Sequence, residues 1–169
     1  NAEITTDKEF IKNSDKIVLP GVGAFEQAIE KITSSGMDKL IFDEIEKGKP
    51  FLGICLGMQM LYEYSLEDGK HKGLGVIKGG IEKFEGDYKI PHIGWNDLEI
   101  MKDSLFEGLK DPMVYFVHSY YAKVGKDTSA LCRYAGVEFS ASIEKDNLFL
   151  TQFHPEKSQR AGLQLLDNF

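Results

Sequence analysis

Apolar and polar positions along the chain divide it into a front half that alternates strands with helices and a back half built mainly of strands. Near the start, residues 16–19 form a short apolar run that predicts a strand, preceded by a short helix over 8–12 after Asp7. The strand is stopped by Pro20-Gly21-Val22-Gly23, a tight loop in which backbone N–H groups can be aimed outward. From Ala24 the pattern turns helical, with Phe25, Ala28, Ile29 and Ile32 on one face. A second helix over 37–47 turns Leu40, Ile41 and Ile45 inward and stops at Gly48. Pro50 leads into the apolar run 51–54, a buried strand, and residues 56–64 repeat their apolar positions at helical spacing. The first third therefore reads as a parallel crossover with helices packed on a sheet.

The middle changes character. Gly69, Gly73, Gly75, Gly79, Gly80 and Gly86 break it into short pieces, with β-prone runs at 75–77 and 81–84, followed by a segment over 90–96 that holds the only tryptophan, Trp95. From Met113 the strands lengthen: 114–118, 130–134 and 139–143 follow one another across polar turns, which suggests antiparallel pairing because only short connections are needed. A last strand over 148–153 ends at His154-Pro155-Glu156, and 161–169 reads as a helix. No repeat, low-complexity stretch or linker splits the chain, so the expectation is one domain over 1–169. Its fold class is α/β, with a mixed, largely parallel central sheet flanked by helices and a more antiparallel C-terminal half.

Composition narrows the function classes. A chain of 169 residues can bury a real core. A formal net charge of −7 with scattered lysines argues against nucleic acid as a partner, which needs clustered Lys and Arg. Two cysteines, Cys55 and Cys132, are too few for a disulfide framework and point to a reducing cytoplasm with free thiols. The chain opens without a signal-peptide pattern, and its most apolar run is far short of the ~20 residues a membrane-spanning helix needs. Histidines and cysteines lack metal-ligand spacing, and neither a Gly-x-Gly-x-x-Gly nor a phosphate-loop lysine motif occurs, so neither a metal nor a cofactor is expected.

The chemistry concentrates at Phe51-Leu52-Gly53-Ile54-Cys55-Leu56-Gly57-Met58-Gln59. Cys55 sits on a strand-to-helix seam with a glycine two residues to each side, the same logic as the elbow that lifts a serine nucleophile clear of a sheet. A thiol at a helix start is expected to favour the thiolate, the nucleophilic form. A free cysteine is more usually a small buried core residue, and the two glycines argue against that here. Of the four histidines, His154 is the best partner. Pro155 biases it toward extended geometry, so the His154 and Glu156 side chains leave on the same side. A carboxylate there can keep one ring nitrogen protonated and leave the other to take the thiol proton. Acyl chemistry also needs donors for an oxyanion, and these are assigned to the N–H of Leu56 and to the loop at Val22 or Gly23. Closing a loop of roughly a hundred residues between Cys55 and His154 costs on the order of 4 kcal/mol, so such a site exists only in the folded chain.

Together with Pro91-His92-Ile93-Gly94-Trp95-Asn96, Tyr115-Phe116-Val117-His118-Ser119-Tyr120 and Phe153-His154-Pro155-Glu156-Lys157-Ser158, these motifs resemble class I, triad-type glutamine amidotransferases. More narrowly they are similar to the glutaminase subunits of imidazole glycerol phosphate synthase, of histidine biosynthesis. The resemblance runs from Lys16 to the C-terminus in motif order. It implies a flavodoxin-like amidotransferase fold in which Cys55 attacks the side-chain amide of glutamine, His154 serves as base and acid, and Glu156 orients it. It further implies that Gly23, Gln59, Glu67, His118, Ser119 and Tyr120 surround the bound glutamine. Trp95 and Asn96 then face a cyclase subunit that forms a heterodimer with this chain and receives the ammonia. Such families begin with a further strand and helix ahead of the position of Asn1. A paralogous amidotransferase serving another synthase, or a catalytically silent scaffold, are the alternatives, and the intact Cys55, His154 and Glu156 argue against the second.

Overall fold

Asp7 opens the first helix by accepting hydrogen bonds from the N–H groups of Glu9 and Phe10 at 2.8 and 3.2 Å, which satisfies donors that have no partner inside a helix. In the computed structural model, which describes residues 2–110 and 112–169, that helix is α1 (Lys8–Asn13). It is followed by β1 (Ile17–Gly21), α2 (Phe25–Ser34), α3 (Met37–Glu46), β2 (Phe51–Cys55) and α4 (Leu56–Gln59). The middle holds β3 (Tyr62–Ser65), β4 (His71–Lys72), β5 (Ile77–Lys83), β6 (His92–Asp97) and β7 (Glu99–Ile100). The last part holds β8 (Met113–His118), β9 (Tyr120–Ala122), β10 (Thr128–Tyr134), β11 (Val137–Lys145), β12 (Leu148–Thr151), a 3-10 turn (Pro155–Lys157) and α5 (Gln159–Asn168).

A six-stranded sheet in the order β1-β2-β12-β11-β10-β7 forms the centre. Its β1-β2-β12 part is parallel, and the pairings of β12 with β11, β11 with β10 and β10 with β7 are antiparallel. The mixed α/β architecture with an antiparallel C-terminal half is thus the one expected. Every residue of β2 is buried, as a strand with neighbours on both sides and packing on both faces requires. A four-stranded sheet, β4-β3-β5-β9, and a two-stranded ribbon of β6 and β8 complete the framework. Among the described residues no helix is long and apolar enough to cross a membrane.

Three local expectations need correction. The helix over 56–64 is a single turn, after which Tyr62 and Tyr64 enter a strand paired with β5. Residues 56–62 are all buried, so there is no polar face to define a period, and aromatic Tyr62 and Tyr64 suit a pleated surface. The strand at 16–19 runs on through Pro20 and Gly21, which pair with Ile54 and Cys55. Proline is tolerated there because β1 is an edge of the sheet. Finally, β8 does not pair with the strands that follow it. It pairs antiparallel with β6, a segment whose strand character Pro91 and Gly94 conceal, in the register His92 to His118 and Trp95 to Tyr115.

Candidate active site

Parallel pairing decides where the site lies. Gly21 is level with Cys55 and Thr151 with Ile54, so the segments leaving β1, β2 and β12 emerge side by side at the carboxyl ends of their strands. Open α/β sheets bind their ligands at that end. Cys55 itself is held at φ 54° and ψ −111°, a strained conformation for a residue with a Cβ and the mark of a nucleophile elbow. The glycines around it are required by close approach. A Cβ on Gly57 would lie 1.9 Å from the Leu19 carbonyl oxygen, and one on Gly21 would lie 2.9 Å from the Gly57 nitrogen. The end of β1 therefore packs directly on the first turn of α4, and the loop at Val22 and Gly23 leaves β1 from that point. Val22 is largely exposed and Gly23 sits at φ 106°.

On the far side of β2, His154 Nδ1 lies 2.7 Å from Glu156 Oε1. A carboxylate can only accept, so Nδ1 carries a proton, and the lone pair of the neutral ring is on Nε2. That Nε2 is buried without a hydrogen-bond partner. The backbone of His154 is pinned to β8: its N–H donates to the Tyr115 carbonyl at 2.9 Å, while Ser158 Oγ donates to the His154 carbonyl and accepts the Tyr115 N–H. The expected proton shared between Cys55 and His154 is not formed here. The Cys55 sulfur instead accepts a hydrogen bond from Gln152 Nε2 at 3.8 Å.

The thiolate expectation also needs correction. Burial pushes the Cys55 thiol up to about 11, and the negative charge of Glu156 acts the same way; the Leu56 N–H, the Gln152 amide and Lys157 oppose it. Desolvation prevails because α4 is one turn long and offers little dipole to offset it. Below pH 9 the group at this elbow is a neutral thiol, so a base must remove its proton before it can attack.

The residues expected around a substrate are joined by hydrogen bonds. Glu67 accepts the Phe25 N–H at 2.8 Å and so caps α2 just after the Gly23 loop. Burial, then the charges of Asp68 and Glu67, hold the Tyr120 phenol above its ordinary range, which places those carboxylates beside it. Gln59, only 6% exposed, donates to the Tyr120 carbonyl at 3.1 Å and to Gln152 Oε1 at 2.9 Å. Both of its amide hydrogens are thereby engaged within the protein. The half-buried Ser119 accepts the Phe84 N–H at its carbonyl. His118 and His92 form a buried pair, with His118 Nε2 3.1 Å from His92 Nδ1 and His118 Nδ1 2.8 Å from the Tyr120 carbonyl.

That histidine pair carries a pH dependence. Burial lowers His92 from the ordinary 6.5 to about 4 and His118 to about 3. Both stay neutral in the folded chain, whereas the unfolded chain takes up their protons below pH 6.5. Their contribution to stability is therefore complete above pH 6.5 and is lost as the pH falls toward 4. The expected slope is about 1.4 kcal/mol per pH unit for each imidazole. Urea unfolding at a series of pH values measures it, and His92→Gln should remove roughly half of the histidine contribution.

Trp95 and Asn96 point opposite ways, as neighbours on a strand must. Trp95 is 42% exposed on the outer face of the β6-β8 ribbon, beside Ile93 and Met113. Asn96 turns inward, donating to the Arg133 carbonyl at 3.1 Å and lying 3.4 Å from His92 Nε2. A shallow cleft of about 290 Å³ between Trp95, Met113 and the Ser158–Ala161 segment continues the outer face. A larger, open hollow of about 760 Å³ lies along α2 and is lined by neither Cys55 nor His154. Among the described residues no three His, Cys, Asp or Glu side chains cluster as metal ligands would. Sequence reasoning passed over Gln152: it counted only as a residue of the last strand, and its position beside Cys55 follows from a parallel pairing that local patterns do not reveal.

Three comparisons with known proteins bear on the family and the fold. The family Glutamine amidotransferase class-I matches residues 1–169. An imidazole glycerol phosphate synthase subunit HisH from Caldanaerobacter subterraneus subsp. tengcongensis is 51% identical over 172 residues, covering 100% of this chain and 85% of that protein. The protein of the same name from Aquifex aeolicus is 49% identical over 170 residues, covering 98% of this chain and 82% of its own length. Among solved structures, one described as a glutamine amidotransferase superposes with a TM-score of 0.74 at 19% identity, covering 99% of this chain and 85% of that one. A glutamine amidotransferase from Thermotoga maritima superposes at 0.64 with 20% identity, covering 93% of this chain and 63% of that one.

Proposed function

Because the chain belongs to the class-I glutamine amidotransferase family, we propose that it is the glutamine-hydrolysing subunit of an imidazole glycerol phosphate synthase, working in histidine biosynthesis. The observation that carries the chemistry is the buried, unpartnered Nε2 of His154, with Nδ1 tied to Glu156, at the strand end next to the Cys55 elbow. His154 Nε2 takes the Cys55 proton, and the electron pair of the S–H bond stays on sulfur. The sulfur attacks the side-chain amide carbon of glutamine, and the carbonyl electrons move onto oxygen. The Leu56 N–H and a donor of the Val22-Gly23 loop hold that oxyanion. His154 then gives its proton to the departing nitrogen, ammonia leaves, and a thioester remains. Water, deprotonated by the same imidazole, attacks the thioester and releases glutamate, returning the proton to sulfur. Glutamine lies against Gly23, Gln59, Glu67, His118, Ser119 and Tyr120 in this reading.

The partner is a cyclase subunit that forms a heterodimer with this chain and uses the ammonia. The outer face of the β6-β8 ribbon suits it: exposed Ile93, Trp95 and Met113 make an apolar strip close to His154. Aromatic anchors dominate such interfaces, so Trp95→Ala is expected to weaken the heterodimer by about 30-fold or more, read by titration calorimetry. The two buried free cysteines suit a reducing cytoplasm, and residues 1–169 act as one domain. Glutamate release measured with and without the cyclase subunit tests the reading as a whole. Absence of turnover in the complex would overturn it.

A further inference from the structure

We propose that Gln152 is a further catalytic residue, a hydrogen-bond donor to the reacting sulfur, and that Gln59 is the positioning residue that aims it. This inference rests on the reading of Cys55 as nucleophile and adds a group to that site.

The direction of each hydrogen bond follows from one fixed point. The Tyr120 carbonyl can only accept, so the Gln59 amide must present Nε2 to it at 3.1 Å. The second hydrogen of the same nitrogen reaches Gln152 at 2.9 Å, so Gln152 must turn its oxygen there. Its nitrogen is then left facing the Cys55 sulfur at 3.8 Å. Neither amide can flip without setting two donors or two acceptors against each other. The Tyr120 carbonyl is itself held in place by His118 Nδ1 at 2.8 Å. Gln152 is fully buried, and its backbone N–H donates to the Ala141 carbonyl at 2.8 Å, so the side chain has no water to exchange with.

A donor aimed at sulfur does little for a thiol and much for a thiolate, since hydrogen bonds to charged groups are roughly twice as strong as neutral ones. When His154 takes the proton, the S–H bond breaks, its electron pair stays on sulfur and an N–H bond forms on the imidazole. The new negative charge arises on a residue that is only 8% exposed. The charged groups acting on it are Glu156 and Lys157, both from the segment after β12, with His154 of the same segment as the proposed base, while α4 supplies the Leu56 N–H. Gln152 is the neutral side chain already pointed at that charge before it appears, so no reorganisation accompanies its formation.

The test is the rate at which chloroacetamide alkylates Cys55 in the full chain, located by peptide mass spectrometry, together with steady-state glutaminase kinetics in the complex with the cyclase subunit. Gln152→Leu, close in size and unable to donate, is expected to slow alkylation about tenfold at every pH below the thiol midpoint. It should also move the midpoint up by about one pH unit and lower kcat about tenfold, with KM for glutamine changed less than twofold. Gln59→Leu, whose side chain also lines the proposed glutamine site, should slow alkylation a few fold and move the midpoint up, and in alkylation the double variant should be no slower than Gln152→Leu alone. An alkylation rate unchanged in a folded Gln152→Leu chain overturns the proposal, as do additive effects in the double variant. Should Gln152→Leu fail to fold, an unchanged rate in Gln59→Leu overturns it equally. Failure of the underlying reading shows elsewhere, as glutamate release surviving in Cys55→Ala.

Discussion

Cys55→Ala is expected to stop glutamate release, a loss of about 10⁴-fold or more in kcat for the complex with the cyclase subunit, while leaving the chain folded. The size follows from the chemistry: without sulfur there is no thioester, and no other group near the strand ends can replace it. Cys132 cannot substitute. It lies in β10, is 2% exposed, and burial pushes its thiol up to about 12. A glutamine-mimicking affinity label should therefore modify Cys55 and leave Cys132 untouched. The fold should survive because the change removes a single sulfur atom, and alanine meets the same backbone strain at φ 54° as cysteine does. Circular dichroism and urea unfolding check the second half of the prediction. Labelling spread evenly over both cysteines, or turnover retained in the variant, would count against Cys55 as the nucleophile.

Gly57→Ala is expected to cost stability heavily. The added methyl would sit 1.9 Å from the Leu19 carbonyl oxygen and 3.0 Å from its carbonyl carbon, which is backbone of the neighbouring strand and has nowhere to go. Overpacking in a well-filled core typically costs 1–3 kcal/mol, and a contact with a rigid strand falls at or above the upper end, about 3 kcal/mol. Part of that cost can be relieved only by moving α4 away from β1, which shifts the Leu56 N–H relative to the end of that strand. Activity should therefore fall further than stability, with glutamate release lost at temperatures where the chain is still folded. By contrast, Gly23→Ala meets no atom within 4 Å, and its cost should be confined to the strain of φ 106°. A small loss in Gly57→Ala, no greater than in Gly23→Ala, would mean that the elbow does not depend on this close approach.

Much of the site was legible because its parts are local. The Gly-x-Cys-x-Gly pattern marks the turn at Cys55, and Glu156, two residues on, lies 2.7 Å from His154 as expected, although a 3-10 turn over Pro155–Lys157 brings it there in place of the extended segment expected. Asp7 was readable as a cap for the same reason, since the carboxylate meets N–H groups only two and three residues away. The α4 helix was overextended because a fully buried segment has no polar face to reveal its period. The β6 strand was missed because its inner face carries His92, Gly94 and Asn96 in place of the β-branched residues that usually announce a strand.

Steric rules and short hydrogen bonds act over a few residues, and through them the amino-acid order alone determined the elbow, the imidazole-carboxylate pair and most helix starts. Partnership between distant segments answers to a different physics. That β12 lies parallel beside β2, and that β6 takes β8 for its neighbour, follows from which pairings bury the most apolar surface against the entropy of closing long loops. Those choices set what no local pattern contained. They place Gln152 against the Cys55 sulfur, bury that sulfur and so raise its thiol to about 11, and turn Trp95 outward while Asn96 faces in.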